Sequence, residues 1–162
     1  MWIMKNKITL IFLLILVIPM VFVILSRVNR HAEIGKEFIG VGGKKTILLE
    51  PDKWTEKEFP LLPYIQPINM QEKLKNGEWM VVLYHYDCPE CKEVIDELIE
   101  KKTENLFLME VPPYGESVFL ENINCARLNE SESKEWFVTT PVILTIKNHV
   151  VVQVIMPKGN NK

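Results

Sequence analysis

The chain has 162 residues, 48% of them hydrophobic and 25% charged, with a formal net charge of −2. This is the size and balance of one globular domain with an appendage, and it excludes a disordered chain, a collagen and a multi-span membrane protein. Charge is uneven: residues 1–31 hold four of the 19 Lys+Arg and none of the 21 Asp+Glu, leaving 15 against 21, or −6, for the remainder. An acidic domain with no basic stripe lacks the electrostatic footprint of a nucleic-acid binder.

Ile8 to Leu25 is a run of 18 residues without a charge. As a helix it would reach about 27 Å, close to a hydrocarbon core of ~30 Å. Trp2, Lys5 and Lys7 precede it and Arg27 and Arg30 follow it, where interfacial anchors belong. A cleaved signal peptide is the competing reading. The run is longer than a usual signal core, and Ser26-Arg27-Val28-Asn29 is not a small-x-small cleavage site. The organisation expected is a transmembrane signal anchor over 1–30, a tether over 31–45, a folded domain over 46–157 and a tail over 158–162. Lys/Arg counts near the run, two before and five after, favour a cytoplasmic domain. That rule is weak for long following domains, so the chemistry of the domain is the better guide to its side of the membrane.

Thr46–Glu50 is a short strand candidate ending at Pro51. Pro51, Pro60, Pro63 and Pro67 keep residues 51–67 extended and free of α-helix. Trp54, Phe59, Leu61, Leu62, Tyr64 and Ile65 would pin this segment to the domain surface. Asn69–Asn76 is a helix candidate, with Asn69 as N-cap and Gly77 beyond its end. Trp79–Tyr86 (WMVVLYHY) is a continuous apolar run, the pattern of a strand buried on both faces in a central position. Asp87-Cys88-Pro89 turns into a helix. Cys91, Val94, Ile95, Leu98 and Ile99 form its apolar face, and Glu93, Asp96, Glu97 and Glu100 lie opposite. Pro89 suits the first helical position. Asn105–Val111 is a second buried strand, stopped by Pro112-Pro113, which completes a strand–helix–strand unit. Residues 114–135 are irregular, with Cys125–Leu128 as a short strand candidate. Trp136–Thr140 leads into Pro141. Val142–Ile146 and Val150–Ile155 are a hairpin around Lys147-Asn148-His149.

Three cysteines, Cys88, Cys91 and Cys125, are too few for a disulfide scaffold. Cys88-Pro89-Glu90-Cys91 lies where a buried strand enters an amphipathic helix. The first thiol sits at the helix amino end, where unpaired N–H groups and the macrodipole favour a thiolate. The second lies within the first turn and is more covered. Cys88 can therefore attack a substrate disulfide and Cys91 can resolve the mixed disulfide. Two bland readings compete: inert core thiols, and a structural metal site. The second C-x-x-C expected of a metal site is absent, although His85, Cys88, Cys91 and Cys125 could supply four ligands. His85 either tunes the thiols or is a packed strand histidine, and Cys125 is either a third redox thiol or a buried unpaired cysteine.

With these pieces in place, roughly residues 79–155 resemble a thioredoxin-like protein of the membrane-anchored TlpA/ResA kind. The resemblance rests on the strand VVLYHYD, the motif CPEC with its helix, the strand NLFLMEV, and Thr-Pro followed by a hairpin (TTPVILTIKNHVVVQV). It implies an α/β thioredoxin-like fold, a central mixed sheet flanked by helices, preceded by one N-terminal transmembrane helix. It implies that Cys88 is the nucleophile, that Cys91 resolves, and that Pro141 is cis and presents the Thr140 backbone to an extended substrate. The cofactor implied is the Cys88–Cys91 disulfide itself, with no prosthetic group and no metal. Partners implied are protein thiol or disulfide substrates and a membrane electron-donor protein. The location implied is a bacterial cytoplasmic membrane, single-pass, with the domain on the periplasmic or extracytoplasmic side.

The sequence also departs from the family. Many thioredoxins carry an acid in the strand before the motif, and Met80–Tyr84 has none. ResA-like proteins place a glutamate in a loop after the following strand, and Gly115-Glu116-Ser117 lies in a comparable place. The resemblance therefore makes Glu116 the candidate for proton transfer, with Glu110 as runner-up and a solvated surface glutamate as the bland reading. Asp87 replaces the aromatic residue that often precedes the first cysteine. Asp87, Glu90 and Glu93 surround the thiols with negative charge, which disfavours a thiolate and predicts a reductant or mild exchanger. Two other functions stay open: a copper- or zinc-handling protein using His85, Cys88 and Cys91, and a catalytically idle scaffold.

Overall fold

A computed structural model describes residues 17–18, 31–40, 43–115, 123–129 and 134–157. Ala32–Lys162 forms one compact unit. Its strands are β1 (Gly35–Ile39), β2 (Lys45–Leu49), β3 (Ile65–Gln66), β4 (Glu78–Tyr84), β5 (Leu106–Glu110), β6 (Asn124–Leu128), β7 (Lys134–Phe137), β8 (Val142–Lys147) and β9 (Val150–Ile155). Two α-helices accompany them among the described residues, α1 (Ile68–Leu74) and α2 (Pro89–Glu100).

The strands divide into two sheets. One has six strands in the order β3-β6-β5-β4-β8-β9, and the other has three in the order β1-β2-β7. Strand β4 is central: β5 pairs with it in parallel and β8 antiparallel. A central strand is covered on both faces, which is why β4 and β5 read as unbroken apolar runs rather than alternating ones. Alternation is still present in what each residue touches. Val81, Leu83, Phe107 and Met109 enter one core with Val142, Leu144 and Ile146 of β8. Val82, Leu106 and Leu108 enter a second, against Ile95, Leu98 and Ile99 of α2.

The first core corrects the expected fold. A single central sheet flanked by helices was expected, but the face opposite α2 is covered largely by the second sheet. Ile47 and Leu49 of β2 and Trp136 of β7 meet it there, together with Leu74 of α1. Trp54, Phe59, Leu61 and Ile65 lie in this core too, each at most 2% exposed, rather than on the domain surface. Strands β1 and β7 escape a sequence reading because GKEFI and KEWF are short, charged, and paired with β2 rather than with a sequence-adjacent hairpin partner in β7's case. Segment 51–67 contains 3₁₀ turns at Pro51–Lys53 and Leu62–Tyr64, and no α-helix. Helix α1 has its N-cap at Pro67, two residues before the expected Asn69, with no side-chain cap bond.

The membrane expectation is corrected as well. Among the described residues no helix is long and apolar enough to cross a membrane. The run expected to span falls on residues that, apart from helical Val17–Ile18, lie outside the described ones. The N-terminal transmembrane helix and the single-pass periplasm-facing location are therefore set aside.

Candidate functional site: a disulfide at a helix start

Strand β4 ends at Tyr84 and delivers the chain into α2 within four residues, so the motif sits at the carboxyl edge of the sheet. Cys88 is the N-cap of α2, in extended conformation (φ −93°, ψ 106°), and Pro89 follows in the first turn. Its Sγ accepts a hydrogen bond from the Cys91 backbone N–H at 3.1 Å. That bond satisfies one of the donors a helix start leaves over. Cys88 and Cys91 form a disulfide, with Cα atoms 5.2 Å apart. Cys91 is 1% exposed, whereas Cys88 is half-buried. The two cysteines therefore differ in cover, the first partly open to solvent and the second sealed.

Two acceptors lie near Cys88 Sγ. The Glu90 carboxylate is 3.9 Å away and the Thr140 carbonyl oxygen 4.0 Å. The Thr140–Pro141 peptide bond is cis. Thr140 is half-buried and Pro141 buried, directly before β8. Because β8 pairs with β4 from Leu83↔Val142 onward, the residues that precede β8 are brought beside those that follow β4. Asp87, Glu90 and Glu93 are exposed around this start of α2.

The remaining sequence candidates separate. Glu116 lies outside the described residues. Glu110 is 4% exposed and both its oxygens are engaged, one by the Gly115 backbone N–H at 3.0 Å and the other by Arg127 Nε at 2.6 Å. His85 places Nδ1 3.2 Å from the Val111 carbonyl oxygen. Cys125 is half-buried on β6, against the α2 core. Among the described residues no three His, Cys, Asp or Glu side chains gather as metal ligands, so His85 and the cysteine pair do not form a ready cation site.

Sequence reading missed Tyr84, Gly115 and Arg127. Tyr84 stands opposite Glu110, which stands opposite Arg127, across β4, β5 and β6. Burial is the main reason the Tyr84 phenol is pushed up to about 12, with Glu110 and then Cys125 adding to the shift and Arg127 opposing it. Only the register of three strands discloses this row; no local motif carries it.

No protein-family model matches the chain, and no curated protein matches it.

Proposed function

We propose that the protein is a thiol–disulfide oxidoreductase acting on protein substrates through Cys88 and Cys91. The observation that carries this reading is the asymmetry of the pair: Cys88 is half-buried at the start of α2, and Cys91 is sealed beneath it at 1% exposure. The Thr140 carbonyl, 4.0 Å from the outer sulfur, supplies a backbone acceptor where an extended substrate would lie. The resemblance of the CPEC and TTP segments to thioredoxin-like proteins supports the same reading.

The exchange balances without a prosthetic group. In the reduced protein, the Cys88 thiolate attacks one sulfur of a substrate disulfide, and the other substrate sulfur leaves as a thiolate and takes up a proton. The Cys91 thiol then loses its proton and attacks Cys88 Sγ. The second substrate sulfur leaves, and the Cys88–Cys91 disulfide is restored. The substrate has gained two electrons and two protons, and the pair has lost them. A dithiol protein must return them for a further cycle. The acid side chains around Cys88 favour the thiol over the thiolate, so the direction proposed is substrate reduction.

Trapping tests the reading. A Cys91→Ser variant of the full chain, expressed in its own cell, is expected to accumulate mixed disulfides through Cys88 that a reducing agent releases. If no adduct forms, and the wild-type pair never cycles between bridged and free forms in a glutathione titration, the reading fails.

A further inference from the structure

An ion pair with a buried carboxylate and a half-buried guanidinium ties the 112–115 loop to the segment that enters the disulfide. The Glu110 side chain is 5% exposed and bonds Arg127 Nε at 2.6 Å. The same carboxylate accepts the Gly115 N–H at 3.0 Å, while Arg127 Nη2 donates to the Gly115 carbonyl at 3.2 Å. Both backbone polar groups of one residue are thus fixed by one ion pair. Tyr86 lies against the bare Cα of Gly115. A Cβ built there would stand 2.3 Å from Tyr86 Cδ2, 2.4 Å from Cγ and 2.7 Å from Cβ, so hydrogen alone fits without a shift. Tyr86 is nevertheless 54% exposed, and it precedes Cys88 by two residues. A large aromatic ring is held on one side and offered to solvent on the other, on the short segment that leads into the outer cysteine.

We propose that Tyr86 is a specificity-determining wall for polypeptide disulfides, and that Glu110 and Arg127 position it through Gly115. The proposal rests on the exchange reading above. A polypeptide that brings its disulfide to Cys88 must also pass its flanking residues over neighbouring surface. An aromatic ring already immobilised there gives contact area at little entropic cost. A compact disulfide needs only the sulfur. Tyr86 is therefore a substrate contact, and Glu110 and Arg127 are positioning residues with no part in proton transfer.

The test uses the reduced full chain and two probes, insulin and hydroxyethyl disulfide. Tyr86→Ala is expected to lower the ratio of second-order rate constants, insulin over hydroxyethyl disulfide, about tenfold, the size of a lost aromatic anchor. Tyr86→Phe, which keeps the ring, is expected to restore it. Glu110→Gln is expected to lower the ratio in the same direction and to shift the Tyr86 ring resonances in NMR spectra. An unchanged ratio in Tyr86→Ala overturns the wall, as does equal loss on both probes. Unmoved Tyr86 resonances in Glu110→Gln overturn the positioning. Wild-type protein that reduces neither probe overturns the exchange reading itself, and the NMR arm still judges the positioning. Should Glu110→Gln not fold, Arg127→Lys takes its place in both measurements.

Discussion

The carbonyl oxygen of Thr140 stands 4.0 Å from Cys88 Sγ although 52 positions of sequence separate the two residues. The antiparallel register of β8 on β4 makes them neighbours: Leu83 pairs with Val142, so the chain just before β8 returns to the place where the chain just after β4 departs. Nothing in the local chemistry of either tripeptide, DCP or TTP, specifies the meeting; in the sequence it is implied only by the resemblance of these segments to thioredoxin-like proteins.

Cys88 has a structural duty beside its chemical one, since its sulfur caps α2. In the reduced state, serine can keep an acceptor at this N-cap and alanine cannot. Cys88→Ala is expected to be about 1 kcal/mol less stable than Cys88→Ser. Urea unfolding of both variants under reducing conditions measures the difference, and neither is expected to form the mixed disulfides of the trapping variant.

Glu90 places a carboxylate 3.9 Å from Cys88 Sγ on an exposed surface. A like charge at that separation in a water-like medium is worth about 1 kcal/mol, or roughly fivefold. Glu90→Gln is expected to speed alkylation of reduced Cys88 at neutral pH by about that factor, and added salt is expected to narrow the gap. Equal rates at low salt would show that the carboxylate does not govern the thiol.

Tyr84 gives a pH signature. Its phenol is pushed from an ordinary value of 10.0 to about 12, chiefly by burial. Because the folded value is the higher one, the fold holds the proton more tightly than the unfolded chain does. This stabilising contribution is whole below pH 10 and is lost as pH rises through 12. One of the four tyrosines should ionise late in a phenolate absorbance titration, and Tyr84→Phe should remove that step.

The β8–β9 turn holds Asn148 (φ 48°) and His149 (φ 60°) in the left-handed region. Two such residues in a two-residue loop fit a hairpin turn that favours Asn-Gly. Asn148 also exchanges bonds with Gly77: its N–H donates to the Gly77 carbonyl at 2.8 Å, and its side-chain oxygen accepts the Gly77 N–H at 3.0 Å. Asn148 is therefore already committed. His149→Gly is expected to stabilise the protein by about 0.5–1 kcal/mol, read from the urea midpoint.

Trp54 illustrates how much of the core a sequence can hide. It follows a proline turn in a segment that reads as surface strapping, yet it is 0% exposed and its indole N–H lies 3.0 Å from the Glu33 carbonyl and 3.2 Å from that of Ile34. Trp54→Phe is expected to cost about 1–3 kcal/mol through the lost donor and the gap left behind, by the same unfolding measurement.

What the sequence determined by itself were the features whose cause is local or periodic. The apolar runs of β4 and β5, the amphipathic stripe of α2 from Cys91 to Ile99, the cysteine spacing at its start and the β8–β9 hairpin each follow from neighbours in the chain. Tertiary structure decided the second sheet, the burial of Trp54 and Leu61, and the Glu110–Arg127–Gly115 link to Tyr86. These depend on pairing register between strands far apart in sequence. Side-chain period and charge can say that a residue needs a partner, but only the closed fold brings that partner within bonding distance.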